Sequence, residues 1–158
     1  MELVFITNVP APYKTPRFQA LAERPDVNIR IIYANAATNR HEYDINGHNG
    51  LDYELYDSRR LPFLDGELMI DIWSIRRFTR MDADAIVVGG WNYVAVWVAL
   101  IAGKLRDIPV LLISANTEQN TVISSLLVRT AGQLFDGYFA LSTAAQANLV
   151  SLGVERPC

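Results

Sequence analysis

The sequence predicts an α/β fold, a Rossmann-like three-layer sandwich around a mostly parallel sheet with strand order 3-2-1-4-5-6. Three observations predict it. Short apolar, β-branched runs alternate with longer segments of helical period, the pattern of right-handed strand–helix–strand crossovers. Proline, glycine and capping residues fall between those runs rather than inside them. The chain has 158 residues, 51% hydrophobic and 20% charged, enough for one sizeable core and too little for two ordinary domains. Residues 1–158 are therefore expected to form a single domain.

The strand candidates are Leu3–Thr7, Val27–Tyr33, Tyr53–Tyr56, Ala85–Gly89, Val110–Ser114 and Tyr138–Ser142. Thr15 is the expected N-cap of a helix Pro16–Arg24, with proline in the first turn, and Pro25 ends that helix before the second strand. Residues 34–52, with Asn46-Gly47 and Asn49-Gly50, read as a long surface loop. A helix over Glu67–Met81 is expected to turn Leu68, Ile72 and Ile75 to the core. Its second side gathers Met69 and Trp73 with Arg76, Arg77 and Arg80, apolar bulk ringed by cations that suits peripheral contact with an anionic membrane surface; Arg stems covering a packed tryptophan are the simpler reading. Tyr93–Arg106 is apolar all round as far as Gly103, so the sheet is expected to bury it, Val96 and Leu100 included. In Thr121–Phe135, Ile123, Leu127, Ala131 and Leu134 share one side, with Ser125, Arg129 and Gly132 opposite. Thr143-x-x-Gln146 reads as a capping box opening Ala144–Leu152.

In the order 3-2-1-4-5-6 the winding reverses between strands one and four, and ligands bind in the crevice beyond the carboxyl ends there. Asn8, Pro12, Tyr13, Lys14, Thr15 and Arg17 lie in the loop and first turn after strand one, where the free N–H groups of a helix start would favour an anion. Gly89-Gly90-Trp91-Asn92 follows strand four, pairing close backbone approach with a flat apolar ring and an amide. After strand five, Ser114-Ala-Asn-Thr-Glu-Gln-Asn120 offers Asn116 and Gln119 for sugar hydroxyls and Glu118 as the nearest carboxylate.

Other constellations carry less. Asp82-Ala-Asp84 matches the Asp-x-Asp pattern of some sugar transferases but precedes strand four, at the wrong end of the sheet, and is read as solvated. His41, Glu42, Asp44 and His48 lack fixed metal-ligand spacing, so no metal is expected. A Gly-x-Gly-x-x-Gly after strand one, a Walker A loop and an acidic pair are all missing, which disfavours dinucleotide, P-loop and phospho-receiver functions. Fourteen Lys and Arg against seventeen Asp and Glu give a net charge of -3, unlike a nucleic-acid binder. Cys158 is the lone cysteine, no secretory leader is legible at the N-terminus, and no apolar run approaches the ~20 residues of a membrane span. A cytoplasmic protein, peripheral at most to the inner membrane face, is expected.

ITNVPAPYKTPRFQALAE, DADAIVVGGWNYVAVWVALIAGKLRDIPVLLISANTEQN and FDGYFALSTAAQANLVSLGV together resemble the N-terminal, acceptor-side half of family 4-type glycosyltransferases of the GT-B fold, from Leu3 to Val154. The resemblance implies retaining transfer from a nucleotide-diphosphate sugar to a sugar or lipid-linked acceptor in bacterial polysaccharide or glycolipid synthesis. It also implies that this domain binds no cofactor and that a C-terminal domain, outside these residues, holds the donor. By position, Pro10–Arg17 would stand near donor phosphate and acceptor, with prolines where the family has glycines. Gly90-Trp91-Asn92 would stand where many relatives carry a histidine, and Asn116 to Gln119 would line the acceptor cleft. Half a cleft cannot orient donor against acceptor, so this chain alone is expected to be inactive. The competing class is a non-catalytic ligand-binding or interaction domain using the same crevice; a second α/β domain with Glu-x7-Glu in the reading frame would decide for the transferase.

Overall fold

The computed structural model describes residues 1–34, 50–55, 59–63, 66–70, 78, 80–90, 94–115, 129 and 132–154, the backbone alone for 59–63 and 66–70. Six parallel strands form the main sheet: β1 (Glu2–Thr7), β2 (Asn28–Tyr33), β3 (Asp52–Leu55), β6 (Ala85–Gly89), β7 (Val110–Ser114) and β8 (Gly137–Ala140). Their order is β3-β2-β1-β6-β7-β8, which counted within this sheet is the expected 3-2-1-4-5-6. The fold class read from the sequence is the one observed. Register aligns the carboxyl ends into one rim: Thr7 faces Tyr33, Ile6 faces Val88, Gly89 faces Ile113 and Ser114 faces Ala140.

The described helices are α1 (Thr15–Ala22), α2 (Val94–Leu105) and α3 (Thr143–Ser151). Successive strand residues point to opposite faces, and the two faces carry different cores. Val4, Ile6, Ile86, Val88, Val110 and Leu112 pack with Val96, Ala99 and Leu100 of α2 and Leu149 of α3. Phe5, Ile29, Ile31, Tyr33 and Val87 pack with Phe18 of α1, whose ring meets Phe5 edge-on at 5.2 Å. Gly103 of α2 lies so close to β7 that a Cβ there would collide with Val110 Cγ2 and stand 2.9 Å from the Ile108 carbonyl oxygen.

Several local expectations are corrected. Gly66–Ile70, placed in a helix by sequence, is strand β5, antiparallel to β4 (Arg59–Phe63) with Phe63 opposite Gly66. Asp65-Gly66 is a hairpin signal that outweighs the three-to-four spacing of Leu68, Ile72 and Ile75. Of the rest of that segment, Phe78 is helical and buried, Arg80 is exposed, and Trp73, Arg76 and Arg77 lie outside the described residues. The helix α1 is capped at Lys14 rather than Thr15, because backbone turns already wind the chain from Ala11 onward and Lys14 carbonyl accepts from Phe18 N at 3.2 Å. The last helix is capped by Ser142, whose hydroxyl accepts from Ala145 N at 3.1 Å; Thr143 and Gln146 form no capping box.

The expectation of complete burial for α2 holds on one side only. Val96 and Leu100 are 0% and 1% exposed, whereas Ile101 and Leu105 are 60% and 78% exposed. Residues 132–134 form a 3₁₀ turn, whose steeper rotation per residue buries Gly132 and leaves Leu134 51% exposed, the reverse of the helical assignment. The remainder of Thr121–Phe135 apart from Arg129, like the His41–His48 group, lies outside the described residues. No described helix is long and apolar enough to cross a membrane.

Candidate functional site

The loop leaving β1 folds back over the rim. Ala11 N donates to Val9 carbonyl at 2.8 Å and Lys14 N to Ala11 carbonyl at 2.9 Å, so the chain turns twice before α1 begins. This brings the Lys14 side chain back to the end of β1. Its Nζ donates to Thr7 Oγ1 at 2.7 Å, to Asn8 Oδ1 at 2.5 Å and to Val9 carbonyl at 3.2 Å. An ammonium has three donors, and all three end on uncharged oxygens. Thr7 hydroxyl donates in turn to Asn8 Oδ1 at 3.3 Å, and the Tyr13 ring lies 5.8 Å from Nζ.

A cleft of about 450 Å³ opens at this rim, beyond the carboxyl ends of β1, β6 and β7. Thr7, Asn8, Tyr13, Lys14 and Arg17 line one side, Gly89, Gly90, Ser114, Ala115 and Leu141 the other, and Phe5, Phe18, Leu21, Val87 and Ile113 lie between. The segments starting at Asn8 and Gly90 thus share one groove at one rim. Gly89 keeps the two strand ends close: a Cβ there would stand 3.2 Å from Thr7 Oγ1. Gly90 has φ +88, a conformation glycine adopts at no steric cost.

Burial pushes the Lys14 ammonium down to about 8, since a charged group loses hydration there without gaining an opposite charge. Among the described residues no carboxylate pairs with it, and Arg17, exposed on the first turn of α1, makes no ion pair. The described lining of the cleft is therefore positive in a chain whose net charge is -3.

The sequence-derived residues divide into three sets. Asn8, Tyr13, Lys14, Arg17 and Gly90 line the cleft; Pro12 and Thr15 do not, Pro12 being exposed and Thr15 buried in α1. Trp91, Asn92, Asn116, Glu118 and Gln119 lie outside the described residues. The free helix-start N–H groups expected for an anion are not available: Thr15 N donates to Pro12 carbonyl and Arg17 N to Lys14 carbonyl, and Pro16 has none. Sequence reasoning passed over Thr7, although the last residue of the strand at a winding reversal is a position at which to look. Asp84 and Asp82 sit at the opposite rim, where Asp84 Oδ2 accepts from Glu2 N at 2.7 Å and Asp82 pairs with Arg106 at 3.5 Å.

No protein-family model and no curated protein matches this sequence. Solved structures similar in fold include UDP-GlcNAc 2-epimerase from Neisseria meningitidis bound to UDP-GlcNAc, at 15% identity and TM-score 0.61, covering 97% of this chain and 43% of that one. UDP-N-acetylglucosamine 2-epimerase from Rickettsia bellii is similar at 17% identity and TM-score 0.55, covering 98% and 42%. MurG of Acinetobacter baumannii is similar at 12% identity and TM-score 0.53, covering 88% and 40%. The likeness is one of fold, a Rossmann-like α/β domain of the GT-B kind. The chain spans about two-fifths of the length of these proteins.

Proposed function

We propose that this chain is the acceptor-side domain of a retaining, nucleotide-sugar-dependent glycosyltransferase of the family 4 type, working at the cytoplasmic face of a bacterial membrane in polysaccharide or glycolipid synthesis. The observation that carries the reading is the cleft at the winding reversal between β1 and β6, with hydroxyl, amide and cationic groups on its walls. Ligands of open α/β sheets bind at that place. The fold likeness to a protein bound to UDP-GlcNAc adds weight to sugar processing. In this reading the domain binds no cofactor; the nucleotide diphosphate is held by a second domain, and this one orients a sugar or lipid-linked acceptor.

The likeness to two UDP-GlcNAc 2-epimerases favours a second reading, epimerisation of the nucleotide sugar itself. One experiment separates them. The complete reading frame is incubated with nucleotide sugars and glycoside or lipid-linked acceptors, and products are followed by proton NMR. Transfer with retained anomeric configuration supports the first reading; a new epimer of the nucleotide sugar without acceptor overturns it in favour of the second. The 158-residue chain by itself is expected to give neither product, because one wall of a cleft cannot align donor with acceptor.

A further inference from the structure

We propose that the group this cleft receives is a phosphoryl anion, held by the side chains of Lys14 and Arg17, on a ligand whose remaining body is apolar. The inference rests on the reading of the cleft as the ligand site and names what that ligand must carry. Two cations and no carboxylate line the cleft among the described residues, although acidic residues outnumber basic ones by seventeen to fourteen along the chain. Lys14 is held by Thr7, Asn8 and Val9 through neutral oxygens only, so the cradle fixes its position without cancelling its charge. A charge drawn partly out of water is ordinarily paired; among the described residues Lys14 has no counter-charge, which leaves one for a ligand to bring.

The backbone of the loop contributes no cradle, because the N–H groups at the start of α1 are spent on Pro12 and Lys14 carbonyls. Recognition therefore falls to the charge of Lys14, whose three N–H donors stay on Thr7, Asn8 and Val9, and to the donors of the Arg17 guanidinium fork, a pair that suits a multi-oxygen anion better than a neutral hydroxyl. Beside the polar groups of Thr7, Asn8 and Ser114, the lining includes Phe5, Phe18, Leu21, Val87, Ile113 and Leu141, an apolar surface larger than a sugar ring would use. An alkyl or isoprenyl chain bearing a phosphate satisfies both halves; a sugar phosphate satisfies only the first.

Proton linkage sharpens the expectation. The other ionisable groups facing Lys14 among the described residues are the Tyr13 phenol in its own loop and the Arg17 guanidinium of α1; the facing ends of β1, β6 and β7 present Thr7, Asn8, Gly89, Gly90 and Ser114. An anion raises the ammonium above its free value of about 8. Affinity is then highest below that value and falls as pH rises through it.

The test titrates the ¹⁵N-labelled chain with inorganic phosphate, glucose 1-phosphate and geranyl phosphate at low ionic strength, in the wild type and in Lys14→Met, Lys14→Arg, Arg17→Gln and Arg24→Gln. Arg24 pairs with Asp26 on the surface and serves as the control. Phosphate is expected to shift the amides of Thr7, Lys14 and Gly90. Its affinity should fall roughly tenfold or more in Lys14→Met and in Arg17→Gln, and stay unchanged in Arg24→Gln. Between pH 7 and 9.5 it should fall in the wild type and not in Lys14→Arg, which keeps its charge. Geranyl phosphate should bind at least about tenfold tighter than glucose 1-phosphate, since each shielded methylene is worth roughly fourfold. No phosphate binding, or equal binding by every variant, overturns the proposal; tighter binding of glucose 1-phosphate overturns its apolar half and identifies a sugar phosphate as the source. If a neutral methyl glycoside shifts the same amides while phosphate does not, this inference fails and the sugar-transfer reading stands. Phosphate binding by a reading frame that transfers no sugar gives the converse.

Discussion

Lys14 places a charge where the fold pays for it in stability, and the cost can be read from pH. In the unfolded chain its amine titrates near the ordinary 10.5; in the folded chain burial brings it to about 8. Below pH 8 both states hold the proton. Between 8 and 10.5 the unfolded chain holds it while the folded chain has released it, so stability rises with pH across that window and levels off above it. The gap between those values corresponds to a ceiling of about 3 kcal/mol. The cleft is open to water, and screening reduces the effect to about 1–2 kcal/mol. The assay is urea denaturation of the wild type and Lys14→Met at pH 7.5, 8.5 and 9.5. Both proteins keep Tyr33 and Tyr138, whose phenols burial raises, the latter to about 12, so tyrosine ionisation cancels in the comparison. The wild type is expected to gain roughly 1 kcal/mol on the variant from pH 7.5 to 9.5, a midpoint difference of about 0.5 M if the denaturant slope is about 2 kcal/mol/M. Parallel curves, or a loss, would show that the amine is not desolvated as the geometry requires.

Two further predictions concern the scaffold. Gly103→Ala should destabilise the fold by about 1–3 kcal/mol, because the added methyl meets Val110 and the Ile108 carbonyl; calorimetry showing a higher Tm, as helix propensity alone demands at about 1 kcal/mol in favour of alanine, would refute the packing argument. Ser142→Ala should cost about 1 kcal/mol through loss of the cap on Ala145 N, whereas Thr143→Ala and Gln146→Ala should leave urea midpoints nearly unchanged; the opposite ranking would restore the capping box.

The sheet was legible because its strands are set by composition and punctuation acting together. AIVVG and VLLIS are continuous apolar runs that no amphipathic helix would carry, and both strands have the bounds read from the sequence. What misled was local pattern that a tertiary or neighbouring choice overrode. Leu68 and Ile72 keep helical spacing, but Asp65-Gly66 is a turn signal in the sequence and Gly66–Ile70 pairs with Arg59–Phe63. The sequence around Pro62 gave little sign of a strand, since proline inside a run argues against one. In the site, position along the chain was legible and environment was not. Asn8, Lys14 and Gly90 reach one groove because strand order puts their loops there, whereas the lowered proton affinity of Lys14 depends on how closely its loop folds back against the end of β1. No spacing rule encodes that closeness.

The two faces of the sheet divide the work. The larger core, under α2 and α3, binds the strands together with Val88, Val96, Ala99 and Leu112 wholly buried, and none of these four lines the cleft. The smaller core belongs to α1, and its Phe5, Phe18 and Val87 are also the floor of the cleft. One helical turn separates Lys14 from Phe18, so the loop is pinned twice: Lys14 is tied back to Thr7 and Asn8, and Phe18 is seated edge-on against Phe5. A cation fixed in this way loses little further freedom when a ligand arrives, and an arrangement ordered before binding spares the complex that cost. Prolines act in the same direction: Pro10 and Pro12 stiffen the loop ahead of Lys14, and Pro16 the turn between Lys14 and Phe18. A glycine-rich loop recognises an anion by letting backbone N–H groups move up to it; this one, with its N–H groups already committed, recognises by holding a side-chain charge still.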